Sequence, residues 1–340
     1  MEMARRALIL TALMAALIVS AAYLCLLQST VSSKQLIVFC AGSLHTPLER
    51  LKERYELLHP GTRVIIEPSG SMEAVRKVVE LGRRCDVLAL ADYELVTKLM
   101  SPKHANWCIA FATDELVLAY TDRSRYADEV GGGWLEVLLK PDVRLGFSNP
   151  NQDPCGYRAL TALALASLRR GGLEVFNELV APYINIRAER VGDMLHIYVP
   201  AELRIEGGRL GLRAKSVDLI ALLEAGDLDY AFEYRGVAVQ RGLRFIDLPP
   251  EVNLGSLNHT DLYAKVTIHL MSGASGEVVV RGAPIMYGVT IPSTAGDVEG
   301  ALGFIKLLLS SVGREVFEGL GQRFLEKPAC MGEVPEALKA

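Results

Sequence analysis

Short apolar runs alternate with amphipathic segments in the part of the chain that follows residue 34. Three of the runs, Gln35–Phe39, Arg63–Glu67 and Asp86–Leu90, have the length and composition of strands. Between them, Pro47–Leu58 and Met72–Leu81 carry apolar residues at helical spacing. This order of strand, helix, strand, helix and strand predicts a parallel, doubly wound α/β sheet.

Two later strand-like segments, Glu115–Tyr120 and Pro284–Pro292, enclose a second alternating set. After them, the amphipathic segments Glu299–Leu309 and Gly313–Leu320 are predicted to pack back on the first set. The sequence therefore predicts two α/β lobes with two doubly wound sheets, joined by two hinge strands that permit closure over a cleft. The enclosed set comprises a strand, two helices and a strand at Arg144–Phe147, Pro154–Arg169, Val217–Glu224 and Leu228–Phe232.

These patterns divide the 340 residues into four parts. Residues 1–34 are predicted to form a signal or membrane-anchor segment with a linker. Lobe one is predicted to comprise residues 35–116 and 285–326, and lobe two residues 117–284. Residues 327–340 are predicted to form a C-terminal tail.

The N-terminal segment differs from the rest of the chain in hydropathy. Arg5 and Arg6 precede an apolar stretch, Ala7–Leu27, and about 20 such residues are enough to cross a bilayer. A cleaved signal peptide and a retained anchor both fit this pattern. Lipidation at Cys25 fits less well, because a bulky leucine precedes that cysteine. We expect everything after the polar linker Gln28–Lys34 to be extracytoplasmic.

Charge and cysteine content exclude several classes of function. The formal net charge is −4, with no basic stripe, so nucleic acid is not an expected partner. None of the six cysteines forms a CxxC pair, which argues against a zinc or redox motif. An extracytoplasmic location permits disulfides among the last five cysteines, but the sequence does not determine their pairing.

Short polar residues stand at the starts of four predicted helices. Thr46 with Glu49 has the pattern of a capping box, and Asp153 is predicted to cap the helix that begins at Pro154. In an open α/β sheet such helix starts lie beyond the carboxyl ends of the strands, and several of them converging would form an anion site. Capping alone also explains each residue, at about 1 kcal/mol apiece. The other two predicted helix starts carry Ser71 and Ser216, which follow Gly70 and Lys215.

Several segments resemble the archaeal tungstate/molybdate-binding proteins, which are extracellular solute-binding proteins of ABC transporters. The resemblance extends over roughly Gln35–Glu326, and its most specific part is the run from Asn149 to Arg158. The segments that carry it are Phe39–Leu44, Glu67–Ser71, Asp86–Tyr93, Phe111–Glu115, Gly146–Arg158 and Asp229–Tyr234.

The resemblance implies a type II periplasmic-binding-protein fold that holds one oxyanion between the lobes. It also implies that Asp153 contributes a carboxylate to the tungsten or molybdenum atom, which can add ligands where the sulfur of sulfate cannot. Coordination number, together with repulsion of smaller anions, would then provide selectivity. The residues implied to bind the oxyanion are Gly42, Ser43, Ser71, Asp153, Pro154, Cys155, Ser216 and Tyr234.

The chain departs from the family at the second carboxylate, which is expected before the helix that leads to the Tyr234 strand. Ser216 stands at that position. Glu233 is close in sequence, but side chains alternate along a strand, so we expect Glu233 to point away from the site that Tyr234 faces. Glu233 is therefore predicted to be a surface or lobe-packing charge, and six-fold coordination of the metal stays open.

No catalysis and no cofactor are expected, since tungstate or molybdate would be cargo. The implied partners are a membrane permease and its ATPase subunit, and the binding protein is expected to be a monomer attached to or released from the membrane. Two alternatives remain from the residues alone. The cleft could bind another oxyanion, such as sulfate or phosphate, or Cys155 at a helix start could be an enzyme nucleophile with a lowered thiol pKa.

Overall fold

The structure is a computed structural model that describes residues 14–16, 20, 34–129 and 133–339. The predicted anchor at Ala7–Leu27 lies outside the described residues except for residues 14–16 and 20. Within the described ranges, every helix is too short or too polar to cross a membrane.

Lobe one is built on a six-stranded mixed sheet with the order β15, β4, β14, β3, β1, β2. β1 pairs in parallel with β2 and β3, whereas β14 and β15 join in antiparallel orientation. The strands are β1 Lys34–Ala41, β2 Thr62–Ser69, β3 Val87–Leu90, β4 Trp107–Thr113, β14 Met286–Thr290 and β15 Arg323–Gly332. The helices are His45–Leu58, Ser71–Val79, Val298–Leu309 and Ser311–Glu318, with a 3-10 turn at Gly42–Leu44 and a π turn at Val96–Met100.

Lobe two contains a five-stranded sheet with the order β11, β5, β10, β6, β9. Its strands are β5 Leu116–Tyr120, β6 Leu145–Ser148, β9 Leu210–Arg213, β10 Tyr230–Tyr234 and β11 Arg244–Asp247. The helices are Trp134–Leu138, Pro154–Arg169, Glu174–Leu179, Ile220–Ala225, Arg235–Gln240 and Thr260–Tyr263. Further 3-10 turns lie at Ser216–Leu219, Leu257–His259 and, in the C-terminal part, Glu336–Leu338.

A third sheet, which the sequence analysis did not predict, belongs to the same lobe. Its four strands have the order β13, β12, β8, β7, and helix Pro154–Arg169 contacts both β12 and β8 as well as β6 and β10. Because this helix lies between two sheets, residues 154–167 are all buried, which explains its apolar character on every face. The strands are β7 Arg187–Val191, β8 Met194–Pro200, β12 Val266–Ser272 and β13 Val278–Arg281.

The two-lobed α/β fold is confirmed, with differences in detail. The predicted hinge strands Glu115–Tyr120 and Pro284–Pro292 correspond to β5 and β14, each a full member of one sheet. The chain passes between the lobes in the short segments 114–115 and 282–285 beside them. Residues 327–332 of the predicted tail continue β15, where residues 329–332 pair with β4.

The predicted capping box at Thr46 is wrong. A 3-10 turn precedes the helix, which begins at His45 with Leu44 at the cap position and no side-chain cap. Thr46 and Pro47 therefore lie inside the first turn. The second cap prediction is confirmed, because the Asp153 carboxylate accepts the Cys155 N–H and Pro154 is the first helical residue.

Candidate functional site

The two lobes touch where helix Ser71–Val79 of lobe one begins. The Met72 N–H donates to the carbonyl oxygen of Gln152, which belongs to lobe two, at 3.1 Å. A Cβ atom added to Gly70 would lie 2.2 Å from that same oxygen. The approach therefore requires glycine, and it brings Ser71 next to the turn that contains Asp153.

Asp153 connects two of the predicted helix starts. One carboxylate oxygen accepts the Cys155 N–H at 3.4 Å, and the other accepts the Ser216 N–H at 2.8 Å. The side chain is buried, and burial raises the pKa of Asp153 above its ordinary value. Asp153 is thus a helix cap and also an anchor for the segment at Ser216.

Glu233 is buried, so of the two predicted environments the surface is wrong and packing inside the protein remains. It is 2% exposed, and its Oε1 accepts hydrogen bonds from the Ser216 hydroxyl and the Tyr234 N–H, both at 2.8 Å. Alternation along β10 does separate Glu233 from Tyr234, but both sides of the strand end are covered by site residues. Burial raises the pKa of Glu233 to about 8.

Ser71 and Ser43 bring hydroxyl groups from lobe one. The Ser71 oxygen accepts the Ala91 N–H at 3.0 Å, which leaves its own hydrogen free to donate. The Ser43 hydroxyl is buried and has no hydrogen-bond partner among the described residues. A Cβ on Gly42 would lie 3.1 Å from a methyl group of Val217, so this turn also faces the segment at Ser216.

Arg158 links Tyr234 to lobe one. Its Nη1 donates to the carbonyl of Ala91 at 2.7 Å and to the Tyr234 hydroxyl at 2.8 Å. Its Nη2 lies 3.8 Å from the Asp92 carboxylate, which also accepts the Tyr157 hydroxyl at 2.6 Å. Neither Arg158 nor Asp92 was predicted to have a role, although an arginine inside an apolar helix is a signal of a buried partner.

A second buried carboxyl lies at the crossing between the lobes. Asp114 accepts the Tyr287 hydroxyl from β14 at 3.0 Å and the Gly236 N–H at 3.2 Å. Burial raises the pKa of Asp114 to about 7. The crossing is therefore tied by hydrogen bonds to elements of both lobes.

The enzyme hypothesis based on Cys155 lacks support in this geometry. The thiol is fully buried and lies 3.6 Å from the carbonyl oxygen of Phe232, to which it donates. Burial raises its pKa well above the ordinary value, so the expected lowering at a helix start is wrong. The five cysteines in the described ranges are all free, so none of the permitted disulfides forms there.

Ser43, Ser71, Asp153, Ser216 and Tyr234 thus belong to one connected region between the lobes. It presents the hydroxyl groups of Ser43 and Ser71, whose hydrogens are available to donate, and its carboxyls are buried. No cluster of three or more His, Cys, Asp or Glu side chains placed to hold a metal ion occurs in the described ranges. The chemistry available is hydrogen-bond recognition of an anion.

Comparison with known proteins agrees with this architecture. The chain is 42% identical over 313 residues to the molybdate/tungstate-binding protein WtpA of Pyrococcus abyssi, covering 90% of this chain and 89% of that one. It is also 42% identical over 312 residues to an uncharacterized solute-binding protein of Staphylothermus marinus, covering 91% and 88%. The periplasmic molybdate-binding protein of Azotobacter vinelandii has a similar fold, with a TM-score of 0.58 at 17% identity over 84% of this chain and 98% of that one.

The resemblance stated from the sequence is confirmed by these relatives. Their shared class is the solute-binding protein, not the enzyme, in agreement with the expectation that the chain has no catalytic activity. The family described as bacterial extracellular solute-binding protein matches residues 36–323. The chain belongs to this family of bacterial extracellular solute-binding proteins.

Proposed function

We propose that the chain is the substrate-binding component of an ABC importer and that it holds molybdate or tungstate between its lobes. One observation carries the proposal. Two buried polar groups from opposite lobes, the Ser43 hydroxyl and the Glu233 Oε2, have no partner in the described part of the chain at the junction where Ser71, Asp153 and Ser216 meet. Unpaired buried polar atoms are costly, and an oxyanion provides acceptors for donors placed there.

The chain has a net charge of −4 and therefore offers no long-range attraction to an anion. Recognition of a dianion must then come from neutral donors close to it. Hydrogen bonds are stronger in a dehydrated cleft than in water, so a few converging donors suffice. The names of the relatives support molybdate or tungstate as cargo. Asp153 is proposed as the ligand to the molybdenum or tungsten atom of the bound oxyanion. On binding, its carboxylate exchanges the hydrogen bond from the Ser216 N–H for the bond to the metal atom.

The export of the mature part, its attachment by the N-terminal segment and its docking to a permease driven by an ATPase are parts of the same proposal. The division into residues 35–116 with 285–326 and 117–284 is likewise proposed as the pair of moving bodies. The family assignment supports an extracellular location, and the hydrogen bond between Met72 and Gln152 supports closure at this junction.

Isothermal titration calorimetry on the full chain in mild detergent tests the proposal with molybdate, tungstate, sulfate and phosphate. Molybdate and tungstate are expected to bind with 1:1 stoichiometry and more tightly than the other two. Ser71→Ala should weaken binding. Ser167→Ala is a matched control, because Ser167 is equally buried and its hydroxyl also accepts a backbone N–H, but inside lobe two.

Sulfate binding as tight as molybdate binding would favour the alternative of a sulfate carrier. Absence of binding by all four anions, with the chain folded by circular dichroism, would refute the proposal.

A further inference from the structure

The Glu233 carboxyl group has one oxygen whose hydrogen-bonding capacity is unused. Oε1 accepts from the Ser216 hydroxyl and from the Tyr234 N–H. Oε2 is buried and has no partner among the described residues. A carboxyl group so placed is either an anion without a counter-charge or a neutral acid whose proton has no acceptor.

The surroundings of Glu233 favour the neutral acid. Two of the groups that act on it electrostatically are the carboxyls of Asp153 and Asp114, and like charge disfavours ionisation. The cations on adjoining elements are paired elsewhere. Arg158 lies beside Asp92, and Lys215 beside Asp218, while Arg235 lies beside Glu115 and Asp247. Cys155 and Tyr157 on helix Pro154–Arg169 and Tyr230 and Tyr234 on the strand of Glu233 itself are neutral at physiological pH, because burial raises the pKa of each.

We propose that Glu233 is held as the neutral carboxylic acid and donates its Oε2 proton in a hydrogen bond to the bound oxyanion, so that binding is coupled to the protonation of this residue. The inference rests on the proposed function. Its consequence is that Ser216, which replaces the carboxylate of the family pattern, also orients the donor by hydrogen-bonding Oε1. The proton stays on Glu233, and no covalent step is involved.

This donor gives the site a chemical preference. Molybdate and tungstate carry no proton at neutral pH and present acceptors on every oxygen. Hydrogen phosphate carries a proton of its own, which needs an acceptor that a neutral Glu233 does not offer on Oε2. A site whose buried groups are left unpaired by the wrong ligand rejects that ligand strongly. We therefore infer selection for fully deprotonated tetrahedral oxyanions.

The test is calorimetric titration of the full chain with molybdate from about pH 6 to pH 9, in pairs of buffers with different ionisation enthalpies. Above the pKa of Glu233, the Kd should rise about tenfold per pH unit, because each binding event then takes up one proton. Glu233→Gln replaces the acid by an amide that still donates. Whatever its affinity at pH 6, this variant should show no rise in Kd between pH 6 and pH 9.

Asp153→Asn and Asp114→Asn are the control variants, because they remove the two neighbouring carboxyls that also titrate. Both are expected to retain the rise in Kd, whatever their affinity at pH 6. A wild-type Kd independent of pH, or no proton uptake in any buffer pair, overturns the inference. So does a Glu233→Gln variant that keeps the wild-type rise.

If Glu233→Gln does not fold, the buffer dependence of the wild-type chain decides, since proton uptake is measured without any variant. Absence of molybdate binding by the folded wild type at every pH overturns the proposed function and this inference with it. Binding without proton linkage overturns this inference alone and leaves the proposed function standing.

Discussion

Gly70→Ala is the substitution whose effect follows most directly from the contact between the lobes. Gly70 has a φ of −66° and a ψ of 146°, a conformation that alanine adopts without strain. The backbone of lobe one therefore tolerates the change. The added methyl carbon, however, would lie 2.2 Å from the carbonyl oxygen of Gln152 in lobe two. Relief requires the two lobes to separate by about 1 Å at this point, since carbon and oxygen prefer about 3.5 Å.

This clash destabilises the closed arrangement of the two lobes. Separation breaks the hydrogen bond from Met72 to Gln152, which contributes about 1 kcal/mol. Overpacking by one methyl group in a close-packed interface costs about 1–3 kcal/mol. Together these costs are about 2–4 kcal/mol, and since each 1.4 kcal/mol corresponds to tenfold in affinity, molybdate binding should weaken by about 30- to 700-fold.

Titration calorimetry measures the affinity, and urea denaturation checks that each lobe remains folded. Gly208→Ala is the control, because it adds the same methyl group to lobe two at a position where no atom of the described residues beyond its chain neighbours lies within 4 Å of it. Its affinity should be close to that of the wild type. Gly70→Ala with unchanged molybdate affinity would show that binding does not need the closed contact.

Three further predictions, two of them with a control variant, concern Arg158, Asp153 and Asp114. Arg158→Ala should lower the free energy of unfolding by about 3–5 kcal/mol and shift the small-angle scattering profile toward an open form. Arg209→Ala is the control for this change. The Arg209 guanidinium donates to backbone carbonyls within lobe two, so its loss should destabilise the chain without opening the lobes. Asp153→Ala should lose about 1 kcal/mol of capping and weaken molybdate binding, whereas Asp153→Asn keeps the cap acceptor and separates the two effects. Asp114 has a folded pKa of about 7, above its ordinary 3.8. Its contribution to stability is therefore full below about pH 4 and lost as pH rises through 7, and Asp114→Asn should flatten that decline in urea unfolding.

Periodicity predicted the longer helices and the strands β1, β2, β3, β5, β6, β10 and β14, because their apolar faces are set by local sequence. Helix Pro154–Arg169 has the predicted bounds, fixed by the Asp153 cap and Pro154. The strands β4, β7, β8, β9, β11, β12, β13 and β15 were missed, as were four short helices of lobe two. β7 and β8 carry exposed or half-buried residues along their length, so they lack the continuous apolar run that marks a buried strand. β13 does carry such a run at Val278–Val280, but it is too short to stand out from the sequence.

Glu233 shows why the site was predicted only in part. Strand alternation correctly separates its direction from that of Tyr234, but it does not say what covers each side of the strand. The segment at Ser216, 17 residues away in sequence, folds over the side that Glu233 faces. Contacts of this kind depend on how elements pack, which local pattern does not encode. The roles of Arg158 and Asp92 were missed for the same reason, since their partners lie in different lobes.

The position of β14 at the centre of the six-stranded sheet has a consequence for how the chain acquires its structure. β14 lies between β3 and β4, yet it begins at residue 286, after the whole of lobe two. A chain that emerges N-terminus first therefore cannot complete its first sheet until most of its length is available, whereas the second lobe is contiguous and can form earlier. Until then, the exposed edges of β3 and β4 are open to pairing with other chains. A chain of this topology needs its C-terminal part to close the first sheet, so truncations before residue 286 should aggregate.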